Sequence, residues 1–185
     1  AHQVEDGASD NTPLRGGKSS IYEGGVRVPS AIWWPGEVPP GISDAFVTAR
    51  DVLPTLLQAA GLSEFIPADL DGVTRWDAIL GQETPIPPYR VQGFNGTATY
   101  RPPWKLVVTD SPLPFSEREL ELYNVYEDPS EGSNVAAQYP ARVEEMSALE
   151  DAWPRGPLVH APAYRVFMDP DRFGGPEDRQ PWAEA

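Results

Sequence analysis

The C-terminal half of the chain is patterned as short strands. Arg90 to Phe94, Thr97 to Tyr100, Trp104 to Thr109 and Leu120 to Val125 alternate or run apolar between turn residues. Segments of that length, so closely spaced, predict an antiparallel meander. Asp128-Pro129 ends it. Gln138 to Trp153 then takes a helical period and opens near Pro140, with Val143, Met146, Leu149 and Trp153 on one face. Upstream, Val26 to Trp34 is rich in β-branched and aromatic residues and predicts a strand, with Pro29 confined to an edge or bulge. Asp51 is placed to begin a helix as its N-cap, and Pro54 is harmless in the first turn. Val52, Leu53, Leu56, Leu57 and Ala60 recur at helical spacing until Gly61 closes the element. A second short helix is predicted from Thr74 to Leu80, stopping at Gly81. Residues 1–17 read as loop. Residues 154–185 hold six prolines and little periodicity, which predicts a tail extended across the surface or partly disordered.

Composition narrows the function classes. Of 185 residues, 40% are apolar and 10% aromatic, enough for a packed core. The 22 prolines and 16 glycines, about a fifth of the chain, predict short elements and long connections. A formal charge of −14 excludes nucleic acid as a partner, because a phosphate backbone would be repelled. No apolar run approaches the roughly 20 residues of a membrane-spanning helix, and His2 through Asp10 is too polar to read as a secretory leader. The lack of cysteine rules out disulfides and thiolate metal sites.

The most informative stretch is Pro13-Leu14-Arg15-Gly16-Gly17-Lys18-Ser19-Ser20-Ile21-Tyr22-Glu23-Gly24-Gly25-Val26-Arg27-Val28-Pro29. Two glycine pairs frame a lysine and a glutamate. Gly-Gly allows backbone approaches that a side chain would block, so a lysine between such turns can be aimed as a point charge at an anion. This stretch resembles the P-L-R-G-x-K-x-x-x-x-E-G-G-x-R-x-P signature of the type I sulfatases. Later segments fit the same resemblance. Asp51-Val52-Leu53-Pro54-Thr55-Leu56-Leu57 is similar to the family's D-x-L-P-T-L helix, and Leu70-Asp71-Gly72-Val73 to its D-G segment. Pro103-Trp104-Lys105-Leu106 is similar to the W-K-L strand. Leu122-Tyr123-Asn124-Val125, Asp128-Pro129-Ser130-Glu131 and Asn134-Val135-Ala136 follow L-Y-D-L, D-P-x-E and N-x-A. Val159-His160-Ala161-Pro162 and Pro181-Trp182 resemble the arylsulfatase B-like branch. The likeness is close over about residues 5–155 and loose in the tail.

The resemblance implies an α/β fragment: the end of the alkaline phosphatase-like sulfatase domain (residues 1–85), then an α+β C-terminal subdomain with a small antiparallel sheet and a packed helix (86–155), then a proline-rich tail (156–185). Ile32, Trp33, Leu53 and Leu57 would pack against a large central sheet whose other strands precede Ala1. The implied function is that of a C-terminal segment of an arylsulfatase-type sulfuric ester hydrolase, secreted, periplasmic or lysosomal, in which Lys18 contacts the sulfate group. Lys18 is therefore the candidate catalytic and substrate-binding residue. Its physical role would be to stabilise charge on the sulfate oxygens as the S–O bond breaks.

Other parts of such an enzyme have no match. The family nucleophile is a formylglycine made from Cys or Ser in C/S-x-P-x-R, and Ser111-Pro112-Leu113-Pro114 lacks the arginine. The chain alone is expected to be inactive. Calcium is implied for the complete enzyme, held by oxygen ligands. Glu5-Asp6-Gly7 stands too close to Lys18 to match the family's Asp-Asn-Gly, so no metal site is assigned. His2 and His160 match no catalytic histidine. Glu23 is placed to bind turn amides or pair with Arg27, and Arg15 to play a similar part in organising the loop. Asn95-Gly96-Thr97 is a glycosylation sequon. Partners implied are a sulfate ester and the N-terminal portion of the enzyme. The alternative is a non-catalytic product serving as an interaction or sugar-binding module.

Overall fold

The computed structural model describes residues 10–93, 96–109 and 119–153. The chain divides into two compact units, Ala1–Glu150 and Asp151–Ala185, and the packing that follows lies within the first. The readings on His2, Glu5-Asp6-Gly7, Asn95, Ser111 to Pro114, His160 and the proline-rich tail lie outside the described residues.

The predicted meander is present. Strands β1 (Tyr89–Gly93), β2 (Gly96–Arg101), β3 (Trp104–Thr109) and β4 (Glu119–Asn124) form one antiparallel sheet in the order β1-β2-β3-β4. Thr99 stands opposite Leu106, and Leu106 opposite Leu122. Side chains alternate across a strand, and here both faces are covered. One face presents Leu106, Val108 and Leu122 to Met146, Val143 and Leu149 of the helix Pro140–Ala152. The other presents Ala98, Tyr100, Val107 and Tyr123 to Ile21, Tyr22, Val26 and Phe46 of the N-terminal half. Burial on two sides explains why β3 reads as a nearly continuous apolar run. Asn134 closes the outer edge at β4: its Oδ1 accepts from the Leu122 amide at 3.0 Å, and the Val135 amide bonds the Leu122 carbonyl at 2.9 Å.

Among its described residues the N-terminal half has five short helical pieces. They are α1 (Glu23–Val26), a 3-10 turn at Ala49–Asp51 leading into α2 (Val52–Ala59), a 3-10 turn at Ser63–Phe65, and α3 (Trp76–Ile79); the C-terminal helix is α4. Gly61 ends α2 at φ 72°. Its amide bonds the Gln58 carbonyl and that of Leu62 bonds Leu57, the paired bonds of a Schellman stop. Asp51 does stand at the N-cap, but its side chain caps no amide of α2. It bonds the Thr48 amide and hydroxyl, both at 2.8 Å, and the Val73 amide at 2.9 Å. This aspartate ties the start of α2 to the Asp71-Gly72 segment.

The predicted strand from Val26 to Trp34 is not formed. Val26 closes α1, and residues 27–34 pair with no strand among the described residues. The backbone at Arg27 is extended (φ −79°, ψ 132°), so the local preference survives. β-Propensity expresses fit to a paired, half-buried surface, and without such a surface the segment stays outside any sheet. Val28 and Trp33 are 73% and 88% exposed. Helix α2 turns its apolar stripe the same way: Val52, Leu53 and Leu56 are about half exposed, whereas Pro54 and Thr55 are buried.

This asymmetry predicts contrasting substitutions. Leu106→Ala, at a fully buried position, should cost about 2–5 kcal/mol. Leu53→Ala and Leu56→Ala should each stay within about 0.5 kcal/mol. Urea unfolding of the purified chain measures all three. A large loss at Leu53 or Leu56 would show that α2 is covered in solution.

Candidate functional site

Lys18 sits at the tip of a four-residue turn closed by the Ser20 amide on the Gly17 carbonyl, at 2.9 Å. Ser19 takes φ 75° at the third position, as a type II turn requires. The Lys18 side chain is exposed, and none of the described residues forms a hydrogen bond or ion pair with it. The backbone around it is closely packed. α1 packs end-on against the turn, with the Gly24 amide on the Arg15 carbonyl at 2.8 Å. A Cβ on Gly24 would stand 2.5 Å from the Gly16 carbonyl oxygen, and one on Gly25 would stand 2.3 Å from that of Ser20. The second glycine pair is thus required by close backbone approach, which sequence spacing alone left open.

Two side chains fasten this loop to the sheet. Arg15 lies over the Tyr22 ring at 3.7 Å and donates to the Tyr123 hydroxyl at 2.8 Å, while the Tyr22 hydroxyl donates to Glu121 on β4 at 2.7 Å. Arg15 is committed to these contacts. Glu23 is buried at the start of α1 and accepts from the Tyr100 hydroxyl at 2.6 Å and from Lys105 Nζ at 3.0 Å. Its other oxygen pairs with Arg27 at 3.1 Å, one of the two alternatives its place in the sequence offered. Lys105 also meets Glu131 at 2.6 Å, and Glu131 accepts from the Glu23 amide at 2.6 Å.

The sequence reading singled out Glu23 but missed Lys105 and Glu131 as its partners. A signal existed. Lys105 is the one charge inside the apolar run of β3, on the face shared with Val107, where a lysine needs a buried counter-ion. Glu131 stands at φ 54°, a left-handed conformation uncommon for this residue type. The turn that holds it is organised by Asp128, whose carboxylate accepts from the Ser130 hydroxyl and from the amides of Gly132 and Ser133. The W-K-L and D-P-x-E segments therefore converge on the glutamate of E-G-G.

Comparison with known proteins decides the lineage. The sulfatase family model matches residues 2–62. An N-acetylgalactosamine-6-O-sulfatase of Bacteroides thetaiotaomicron is 33% identical over 170 residues, covering 79% of this chain and 33% of its own length. The chain belongs to the sulfatase family. A B. thetaiotaomicron protein of glycosaminoglycan metabolism superposes on this sulfatase chain with a TM-score of 0.64 at 31% identity, over 80% of this chain and 34% of the other. The crystal structure of Ps i-CgsB in complex with k-i-k-neocarrahexaose gives 0.69 at 26% identity, over 92% and 40%. The chain spans about a third of the length of the curated relative and 34–40% of these structures.

The metal that the family implies was tested against the donor set. Among the described residues, no group of three or more His, Asp or Glu side chains could hold an ion. The carboxylates of the site are committed elsewhere, Glu23 and Glu131 to Lys105 and Glu121 to Tyr22. The described part of this sulfatase chain does not fit a calcium site.

The geometry generates two predictions. Ala in place of Gly inside a helix ordinarily stabilises by roughly 0.5–1 kcal/mol. Gly25→Ala should instead cost about 1–3 kcal/mol, the usual penalty of overpacking, read from thermal unfolding; a stabilised variant would mean that the loop does not press on α1.

The second concerns pH. Burial holds the Glu131 carboxyl above its ordinary value of 4.5, against the opposing pull of Lys105. A carboxyl raised in the folded state contributes stability below its unfolded pKa and loses it as pH rises through the folded value. The stability of Glu131→Gln relative to the unsubstituted chain should therefore improve between about pH 4 and pH 8. Urea midpoints across that range measure it, and a difference that moves the opposite way would show that Lys105 outweighs burial.

Proposed function

We propose that this chain is the C-terminal part of a sulfuric ester hydrolase acting on sulfated carbohydrate, and that Lys18 is its contact to the sulfate group. The observation that carries the reading is that Lys18 is exposed and has no hydrogen-bond or ion-pair partner among the described residues. Every other charged side chain of the signature is spent within the protein: Arg15 on Tyr22 and Tyr123, and Glu23 and Arg27 on each other. The lysine alone projects from a turn whose backbone is pinned, which is the arrangement a preorganised charge requires. As the ester S–O bond breaks, negative charge grows on the leaving oxygen and stays high on the sulfate oxygens. An ammonium already in place lowers the energy of that state without having to reorganise.

The names of the relatives support the substrate class, since both an N-acetylgalactosamine-6-O-sulfatase and an oligosaccharide complex are among them. The nucleophile has no counterpart here, because the 185 residues contain neither cysteine nor a Ser-x-Pro-x-Arg sequence. The uncovered stripe of α2 and the apolar residues of 28–34 support packing against further sulfatase sequence that would supply it. Each large side chain buried there gains roughly 1.5–3 kcal/mol.

The test is made in a polypeptide carrying this segment together with the rest of a sulfatase domain. Lys18→Ala should lower turnover of a sulfated sugar by about 100–1,000-fold, the effect of removing one preorganised charge-stabilising group. Arg15→Ala should lower it far less at matched folding. Equal, small losses for both would make Lys18 an ordinary surface lysine.

A further inference from the structure

We propose that Glu23, Lys105 and Glu131 are positioning residues for Lys18, forming one buried ion network that latches the lysine-bearing loop to the C-terminal sheet. The functional meaning of the latch rests on the reading of Lys18 as the sulfate contact; the latch itself rests on geometry.

The three residues come from distant parts of the chain, 82 residues separating Glu23 from Lys105 and 108 separating it from Glu131. All are withdrawn from water: the side chains of Lys105 and Glu131 are 0% exposed and that of Glu23 is 5% exposed. Desolvating such a cluster offsets much of its Coulomb attraction, and well-packed apolar residues commonly serve stability as well or better. What apolar residues lack is direction. Lys105 has three donors on one nitrogen, and it meets Glu23 and Glu131 at 3.0 and 2.6 Å. Glu131 in turn takes the Glu23 amide. Glu23 is held at both its backbone and its side chain. The charges close as well, two carboxylates facing Lys105 and Arg27.

The path from this network to Lys18 is short and made of backbone. Glu23 is the first residue of α1, and the next two are the glycines pressed against the carbonyls of Gly16 and Ser20. Ser20 closes the turn that carries Lys18. A shift of Glu23 is therefore passed to the turn without any flexible side chain between them. Glu131 contributes a further sign of purpose. It is kept in a left-handed conformation by the Asp128 turn, and such conformations persist only where the surroundings over-determine them.

A buried cluster that only added core stability would protect the whole fold equally; a latch protects the loop selectively. Amide hydrogen exchange on the full 185-residue chain separates the two. In Glu131→Gln, which keeps the volume but removes the charge, exchange at Ser20, Gly24 and Gly25 should accelerate by at least about tenfold, as expected of a locally opened unit. Exchange at Leu106 and Val107 in β3 should be unchanged. A parallel rise in the strand, or no rise in the loop, overturns the latch. Should that buried variant fail to fold, Arg27→Gln, at a side chain 47% exposed, gives the same reading at the rim of the network. The sulfate role is measured separately by titrating the unsubstituted chain with inorganic sulfate. Loop-selective exchange without any response at Lys18 would sustain the latch and overturn the sulfate reading alone.

Discussion

The lysine of β3 has no water to turn to, and the rest of this molecule is arranged around that fact. Lys105 lies on the sheet face that receives the N-terminal half, so burying that face requires two carboxylates to arrive with it. One comes from α1 and the other from the turn after β4. Wrong packings of the N-terminal half would leave a buried charge unpaired, and such errors are costly. The network thereby decides where the glycine-rich loop can sit, and the loop decides where Lys18 points.

A third buried glutamate does the corresponding work on the opposite face. Glu150 of α4 accepts from Arg90 at 3.0 Å and from the hydroxyls of Thr97 and Thr99. Those threonines share a face with Leu106 and Val108, so helix packing and polar satisfaction are set by the same register. Apolar contact with Met146 would tolerate some sliding of the helix. The charge-assisted bonds of Glu150 do not, because they fix both position and rotation. The sheet is thus held between two elements, each placed by a glutamate.

The N-terminal half stands in contrast. Its internal order comes from Asp51, Thr55 and Arg75, whose bonds knit α2 to the segment that follows it. Its apolar residues largely face outward. Arg75 is buried and bonds the carbonyls of Phe46 and Pro85, an organisation that needs no apolar partner. A region can therefore be locally well specified by hydrogen bonds while its hydrophobic stripe remains available to another surface.

Periodicity and punctuation in the sequence by themselves determined the four strands, the stop of α2 at Gly61 and the start of α4 at Pro140. Each of these is a local property: a period of two, a left-handed glycine, a proline that needs no amide partner. The sulfatase signature likewise marked Lys18 and the glycine pairs. The tertiary structure alone decided what those glycines are for, since the clash that excludes a Cβ comes from carbonyls earlier in the chain. It alone paired Glu23 with Lys105 and Glu131, because partners 82 and 108 residues away leave no periodic trace. It also withheld the strand expected at Val26 to Trp34. That segment has the composition of a strand, but a strand is a relation between two segments, and composition describes only one.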